Sequence, residues 1–315
     1  MRFGAFVPQG WRMDLTGIPV DRQWDTMVSV ARVAEEVGFE SVWVYDHFHT
    51  SPRPSQEPTF EAWTVMAGLA EATAGVRLGQ MCTSVSYRMP SYLAKVASCI
   101  DVMSGGRLEV GIGAGWYEHE YRGYGYPFPK AAARIGQLDE AVQILLAMWT
   151  EDRVTFSGEH YTLVDAFNRP KPLQEPHPPL WIAGGGEQLT LNVVARFADY
   201  ANFAGDVEAF RHKRSVLAGH CARVGRDPAE ITLSRNWDVV VAETEQEVEA
   251  KLAGVTGDAA ALRRRGLVGT PDQIAERLTA WEGEGLAYSI CYFPDATHGD
   301  GMRIFGEQVI PRIGG

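Results

Sequence analysis

The sequence predicts a closed (β/α)8 barrel, a TIM barrel, built as one domain from residues 1–315. Three observations lead there. Short apolar runs rich in β-formers alternate with longer stretches of helical period, the ordering of an α/β fold with parallel strands. The runs number eight, one for each strand of such a barrel. The length agrees, because eight β/α units usually take about 250 residues and the surplus goes into insertions.

In order, the strands fall at 2–7 (RFGAFV), 41–45 (SVWVY), 76–83 (VRLGQMCT), 107–113 (RLEVGIG), 179–183 (PLWIA), 199–204 (DYANFA), 231–241 (ITLSRNWDVVV) and 287–293 (AYSICYF). Between the first two, Trp24, Met27, Val28, Ala31, Ala34 and Val37 share a helical face that Gly38 closes. Leu93, Val96, Ala97, Ile100 and Met103 repeat the pattern over 91–103, as do Ile135, Leu138, Val142, Leu145 and Trp149 over 133–149. Thr270, Pro271, Asp272 and Gln273 read as a helix start, with Thr as N-cap, Pro at the first helical position and Gln three residues on. Further helices fit 187–197, 206–224, 245–265 and 301–311. Two segments hold the surplus. Residues 115–131, after strand four, are rich in Tyr, Gly and Pro, and 151–178, before strand five, contain a hairpin-like VTFSGEHYTLV and a proline-broken stretch. A doubly wound open sheet is the structural alternative.

Composition narrows the function. A net charge of −11 disfavours a nucleic-acid or anionic-membrane surface, where binding depends on clustered Lys and Arg. An anionic small ligand stays open, since backbone N–H groups in glycine-rich turns supply donors without net positive charge. No run approaches the roughly 18 apolar residues of a membrane helix, and the opening MRFGAFVPQG does not read as a signal peptide. A cytoplasmic protein acting on a small molecule is expected. The four cysteines, Cys82, Cys99, Cys221 and Cys291, are scattered without a CxxC pair, which agrees with a reducing compartment. Cys82 and Cys291 lie in strand-like runs and read as small buried hydrophobes.

Barrel active sites lie at the C-terminal strand ends, so the loops there carry the functional reading. After strand two come Asp46, His47, Phe48 and His49, and an imidazole at the site mouth suits proton transfer or a hydrogen bond to a cofactor. His47 and His49 also invite a zinc reading, but strand one ends in Pro8 and Gln9, strand five in glycines and strand six in Ala204 and Gly205, so no metal is expected. Strand four ends in Gly111, Ile112, Gly113, Ala114, Gly115 and Trp116. Aromatic and polar residues follow where a dinucleotide-binding turn requires a helix, so the glycines read as close approach to a flat ring with Trp116 as one wall; Gly111 and Gly113 equally suit a crowded barrel interior. Strand five ends in Gly184, Gly185, Gly186 and Glu187 before a helix, where exposed backbone N–H groups suit a phosphate.

Taken together, VWVYDHFHT, TSVSYRMPSYLAKVASCIDVMSGGRLEVGIGAGWYEHEY, RIGQLDEAVQILLAMWT and PLWIAGGGEQLTLNVVARFADYAN resemble the luciferase-like monooxygenase family across nearly the whole chain. Within it the sequence resembles the branch of coenzyme F420-dependent oxidoreductases. The resemblance implies a homodimer and a flavin or 5-deazaflavin across the strand ends, F420 with FMN as the alternative. It implies that Asp46 and His47 meet the ring or its chain, and that Thr83, Ser84 and Val85 lie behind the ring with the family's cis peptide at Ser84–Val85. Ala114, Gly115 and Trp116 would line the ring, and Gly184, Gly185 and Gly186, with Glu187 beside them, would hold the phosphate.

At two positions the chain departs from the deazaflavin sugar-phosphate and alcohol dehydrogenases of that branch. Those enzymes place a Glu directly after the strand-four glycines, where Trp116 stands, and a Trp four residues after the His, where Ser51 stands. Their substrate and acid/base assignments therefore do not carry over. Glu118 and Glu120 are the nearby carboxylates that can substitute, unless they pair with Arg122 at the surface. The expected reaction passes a hydride between C5 of F420 and a small organic substrate under the aromatic loop at 116–128, with His47 giving or taking the proton. An FMN- and oxygen-dependent monooxygenase and a non-catalytic flavin-binding protein are the alternatives.

Overall fold

All eight expected strands are present in the computed structural model, which describes residues 1–255 and 258–313. They are β1 (Arg2–Phe6), β2 (Ser41–Val44), β3 (Arg77–Gln80), β4 (Leu108–Gly113), β5 (Leu180–Ala183), β6 (Tyr200–Asn202), β7 (Thr232–Val241) and β8 (Tyr288–Tyr292). Each pairs in parallel with the next, and β8 returns to β1 with Arg2 opposite Tyr288, so the barrel is closed.

Residues of alternate parity divide the strands between two cores. Outward side chains such as Val42, Val44, Leu78, Val110, Ile112 and Ile182 pack under the helices. Inward ones are large aromatics, Phe6, Trp43, Trp181, Tyr288 and Tyr292, and small residues make room for them. A Cβ added at Gly4 or Gly79 would collide with the Trp43 indole, and one at Gly111 would strike the Gln80 carbonyl. Trp43 meets Trp181 edge-on at 4.7 Å, and Trp181 stacks on Tyr200 at 3.9 Å. This plug packs the barrel interior below the C-terminal strand ends.

The helices follow the sequence pattern closely at Val20–Glu36, Pro90–Met103, Ala131–Thr150 and Val207–Val224. A helix at Ala62–Ala72, which the sequence pattern had not marked, covers the β2–β3 crossover. The insertion after β4 carries a short helix, Glu118–Tyr124, and the one before β5 contains the hairpin Val154–Ser157 and Thr162–Ala166. The expected helix over 245–265 is two, Glu245–Gly254 and Ala259–Arg265, followed by an added strand Leu267–Gly269 alongside β7. Among the described residues no helix is long and apolar enough to cross a membrane.

Candidate active site

Six strands contribute to a cleft of about 460 Å³ at the C-terminal barrel face, a size ordinary for small-molecule sites. Its walls are Trp11 after β1, Tyr45 to His47 after β2, Met81 and Cys82 after β3, Gly113 to Tyr117 after β4, Ala183 to Gly186 after β5, and Asn236 from β7.

His47 stands at the lip, its ring stacked on Trp11 at 4.3 Å. Nδ1 lies 2.8 Å from Oε2 of Glu120, whose side chain has no solvent exposure. Glu120 also accepts the N–H of Phe48 at 2.7 Å, the N–H of His49 at 2.9 Å and the Tyr87 hydroxyl at 2.8 Å. Burial alone raises a carboxyl, but the His47 bond, the His49 N–H and the Tyr87 hydroxyl outweigh it and hold Glu120 below the usual carboxylate range. An ionised carboxylate only accepts, so this bond calls for the proton on Nδ1 of His47 and leaves Nε2 without a protein partner among the described residues. Glu120 therefore sits behind the imidazole, outside the cleft. Glu118 is turned away altogether and pairs with Arg122 at 2.7 Å on the surface. His49 faces His119 at 2.9 Å, outside the cleft.

Asp46 reaches the cleft wall with its carboxylate already engaged. Arg88 grips it in a fork, at 2.7 Å to Oδ2 and 2.9 Å to Oδ1, and the Ser84 N–H donates to Oδ2 at 2.9 Å. Arg88 also holds Glu61 at 2.6 Å. The group braces two loops. Ser84 lines the cleft, but Thr83 and Val85 do not: Thr83 donates to the buried Gln80 side chain, and Val85 is packed in the outer core. The non-proline cis peptide falls at Met81–Cys82, three residues before the expected Ser84–Val85. β3 ends at Gln80, short of the run read from sequence, so Met81 and Cys82 are the residues that reach the cleft. Burial pushes the Cys82 thiol up to about 12, with Asp46 adding to it, so it stays protonated at neutral pH.

At the β5 end, Gly184 donates its N–H to the Asn202 carbonyl at 2.9 Å, while the N–H groups of Gly185 and Gly186 have no acceptor among the described residues. The glycines are not at the helix terminus itself. A turn over 187–189 separates them from the helix Thr190–Phe197. A cation replaces the helix end: a Cβ on Gly185 would lie 2.6 Å from Nζ of Lys213, which reaches over from the helix Val207–Val224 and rests on the Ala204 carbonyl at 2.8 Å. Glu187 points outward, 3.1 Å from His212.

Ala114, Gly115 and Trp116 form the β4 wall. Gly115 has φ +73°, and a side chain there would strike the Tyr121 and Ser84 hydroxyls, so only glycine fits. Trp116 stacks on Tyr117 at 5.1 Å and is 61% exposed, an aromatic edge beside an open cleft. Trp11, Arg134 and Lys213 were not singled out from sequence. Trp11 follows the first strand end, but nothing local marks Arg134, in the first turn of its helix, or Lys213, which reaches the Gly185 turn from the middle of the helix Val207–Val224.

Comparison with known proteins places this barrel among the oxidoreductases that use a flavin-type cofactor. Residues 1–264 match the luciferase-like monooxygenase family, and the chain belongs to it. It is 25% identical to the FMNH(2)-dependent dimethylsulfone monooxygenase of Pseudomonas putida over 99% of this chain and 95% of that enzyme. It is 35% identical to the F420-dependent glucose-6-phosphate dehydrogenase of Amycolatopsis mediterranei over 57% of its own length, spanning about half (51%) of that relative. In fold it is similar to an F420-dependent secondary alcohol dehydrogenase in complex with an F420-acetone adduct, with a TM-score of 0.83 at 22% identity, covering 99% of this chain and 98% of the other.

Proposed function

We propose that this chain is an F420-dependent oxidoreductase acting on a small organic substrate, with His47 exchanging a proton at the reacting centre. The observation that carries the reading is the His47–Glu120 pair at 2.8 Å, which presents one defined nitrogen to the cleft.

The cleft suits a flat, anionic cofactor on three counts: the close backbone at Gly115, the N–H groups of Gly185 and Gly186, which have no acceptor among the described residues, and the Lys213 ammonium beside them. Bound there, the deazaflavin would supply two-electron chemistry by giving or taking a hydride at C5. Gly185, Gly186 and Lys213 hold the phosphate, since backbone N–H groups and an ammonium offer donors matched to its oxygens. Asp46, fixed by Arg88, keeps the β2 and β3 ends in register against the ring side. His47 gives or accepts a proton at Nε2 while Glu120 stabilises the imidazolium. Trp116 and Tyr117 limit water on the open side. A homodimer belongs to this reading, supported by large apolar side chains left at the surface, among them Tyr92, Val164 and Phe167.

The second reading, an FMN-dependent monooxygenase, is favoured by the Pseudomonas putida relative, which is matched over 95% of its length. Turnover under argon separates the two. With F420 and a panel of small alcohols and ketones, the dehydrogenase reading expects a change in deazaflavin absorbance without oxygen. Strict dependence on oxygen and reduced FMN would overturn it.

A further inference from the structure

A second cleft, of about 1110 Å³, opens beside the first, along a part of the β7 edge that β6 is too short to cover. β6 stops at Asn202, opposite Ser234 of β7, and the added strand Leu267–Gly269 does not meet β7 until Val239. The gap along that edge is lined by Arg235 and Asn236 of β7, by Arg211, by Arg264 and Arg265, and by Arg277 of the helix Pro271–Gly283. Asn236 also lines the first cleft, so the two adjoin.

Charge in this gap is unbalanced. Arg211 pairs with Glu284 at 2.5 Å, Asp238 is taken by Arg12, and Asp206 caps its own helix by accepting the Ala209 N–H at 2.9 Å. Among the described residues Arg235, Arg264, Arg265 and Arg277 form no ion pair with a carboxylate, in a chain of net charge −11.

Arg235 is only 6% exposed. Its guanidinium lies 3.9 Å from the Trp237 ring and 4.5 Å from that of Trp281. Among the described residues its head bonds only carbonyls, of Gly205 and, at 2.9 Å, of Arg265, and its Nε has no partner. Burial, and then the neighbouring Arg277, push it down to about 10. Arg277 likewise bonds the carbonyls of Arg263 at 2.9 Å and Arg264 at 2.5 Å. Capping the last carbonyls of Ala259–Arg265 explains how these two side chains are oriented. It leaves Arg235, Arg264, Arg265 and Arg277 without a direct carboxylate partner among the described residues, with Asp206 near enough to act on Arg235, and their mutual repulsion and the burial of Arg235 cost free energy.

We propose that this cleft binds a multiply charged oxyanion group, a phosphate or clustered carboxylates, on a ligand that reaches the first cleft past Asn236. Guanidinium forks match such oxygens in pairs. The site adjoins the turn at Gly185, since Lys213 rests on the carbonyl of Ala204, which lines the second cleft, and it stands whichever cofactor the first cleft takes. The oxyanion belongs to the substrate or to an acidic extension of the cofactor, the same guanidinium chemistry serving both.

Calorimetric titration with inorganic pyrophosphate tests the proposal on the full chain. The background is Gly185→Asp, which closes the glycine turn to anions, with wild type alongside. We expect pyrophosphate to bind both proteins below about 1 mM at low salt, and Arg264→Ala with Arg265→Ala, two exposed positions, to weaken it at least about tenfold. Absence of binding, or binding unchanged by removal of the two arginines, overturns the proposal. F420 titrated into the double arginine variant assigns the source: a tenfold loss places the oxyanion on the cofactor, and unchanged affinity places it on the substrate. If F420 binds neither protein, the cofactor reading fails while the pyrophosphate result stands.

Discussion

Glu120 accepts the Nδ1 proton of His47 at 2.8 Å from a position without solvent exposure, and it does so while accepting two backbone N–H groups and a tyrosine hydroxyl. A buried carboxylate so fully bonded is a fixed negative charge, and it sets both the tautomer and the tilt of the imidazole. Both residues of the pair have measurable consequences.

His47→Gln keeps a hydrogen-bonding side chain that cannot shuttle a proton at neutral pH. Turnover at saturating cofactor should fall by roughly 10²- to 10⁴-fold, with cofactor affinity largely retained. Stopped-flow absorbance with any competent substrate reads this out. Turnover within threefold of wild type removes His47 from the proton path.

Glu120 acts through His47, so Glu120→Gln should lower kcat by at least about tenfold with little change in KM. A purely structural role predicts a loss of folded protein with normal kcat. The same variant has a pH signature. Glu120 titrates below its ordinary 4.5 in the folded chain, so its stabilisation is present above that value and is lost as pH falls through the lower folded value. Acid unfolding curves should show this loss in wild type, and its absence in Glu120→Gln.

Gly185→Asp sets a carboxylate beside Lys213 and in front of the Gly185 and Gly186 N–H groups. The Lys213 tip can shift, so the fold should hold while cofactor binding is lost through like-charge repulsion and competition for the donors. Native cofactor affinity in a folded variant would relocate the phosphate.

Glu109, 4% exposed at the barrel floor, is held by Arg77 and the Trp181 indole. Burial pushes it up to about 7 from an ordinary 4.5 against those partners. The raised value means that its stabilising effect is complete below about pH 4.5 and is lost as pH rises through about 7, by roughly 3 kcal/mol. Urea unfolding at pH 4.5 and pH 8 should show that fall in wild type and a flatter profile in Glu109→Gln. Equal falls in both proteins would assign the pH dependence elsewhere.

What the sequence made legible was whatever depends on local pattern. Each barrel strand is a β-rich run between helices of clear period, and the two surplus segments lie where Tyr, Gly and Pro interrupt that alternation. The site was half legible for the same reason: Gly184, Gly185 and Gly186 and the residues after β4 announce themselves by composition. Contacts across the fold left no such trace. Nothing near Asp46 says that Arg88, 42 residues on, occupies its carboxylate. Glu120 and Glu118 look alike in sequence, yet their two-residue spacing, about half a turn of a short helix, sends one inward to His47 and the other out to Arg122. Lys213 reaches the glycine turn from a helix whose pattern reads only as a barrel helix. Three-dimensional closure decides these, and local spacing does not encode it.

The central claim, that the cleft is built for a deazaflavin, is tested most directly by titrating the cofactor-free protein with F420 and FMN in parallel and following absorbance. The account predicts that F420 binds at least about tenfold tighter, a preference of about 1.4 kcal/mol or more. FMN binding equally or more tightly would contradict it.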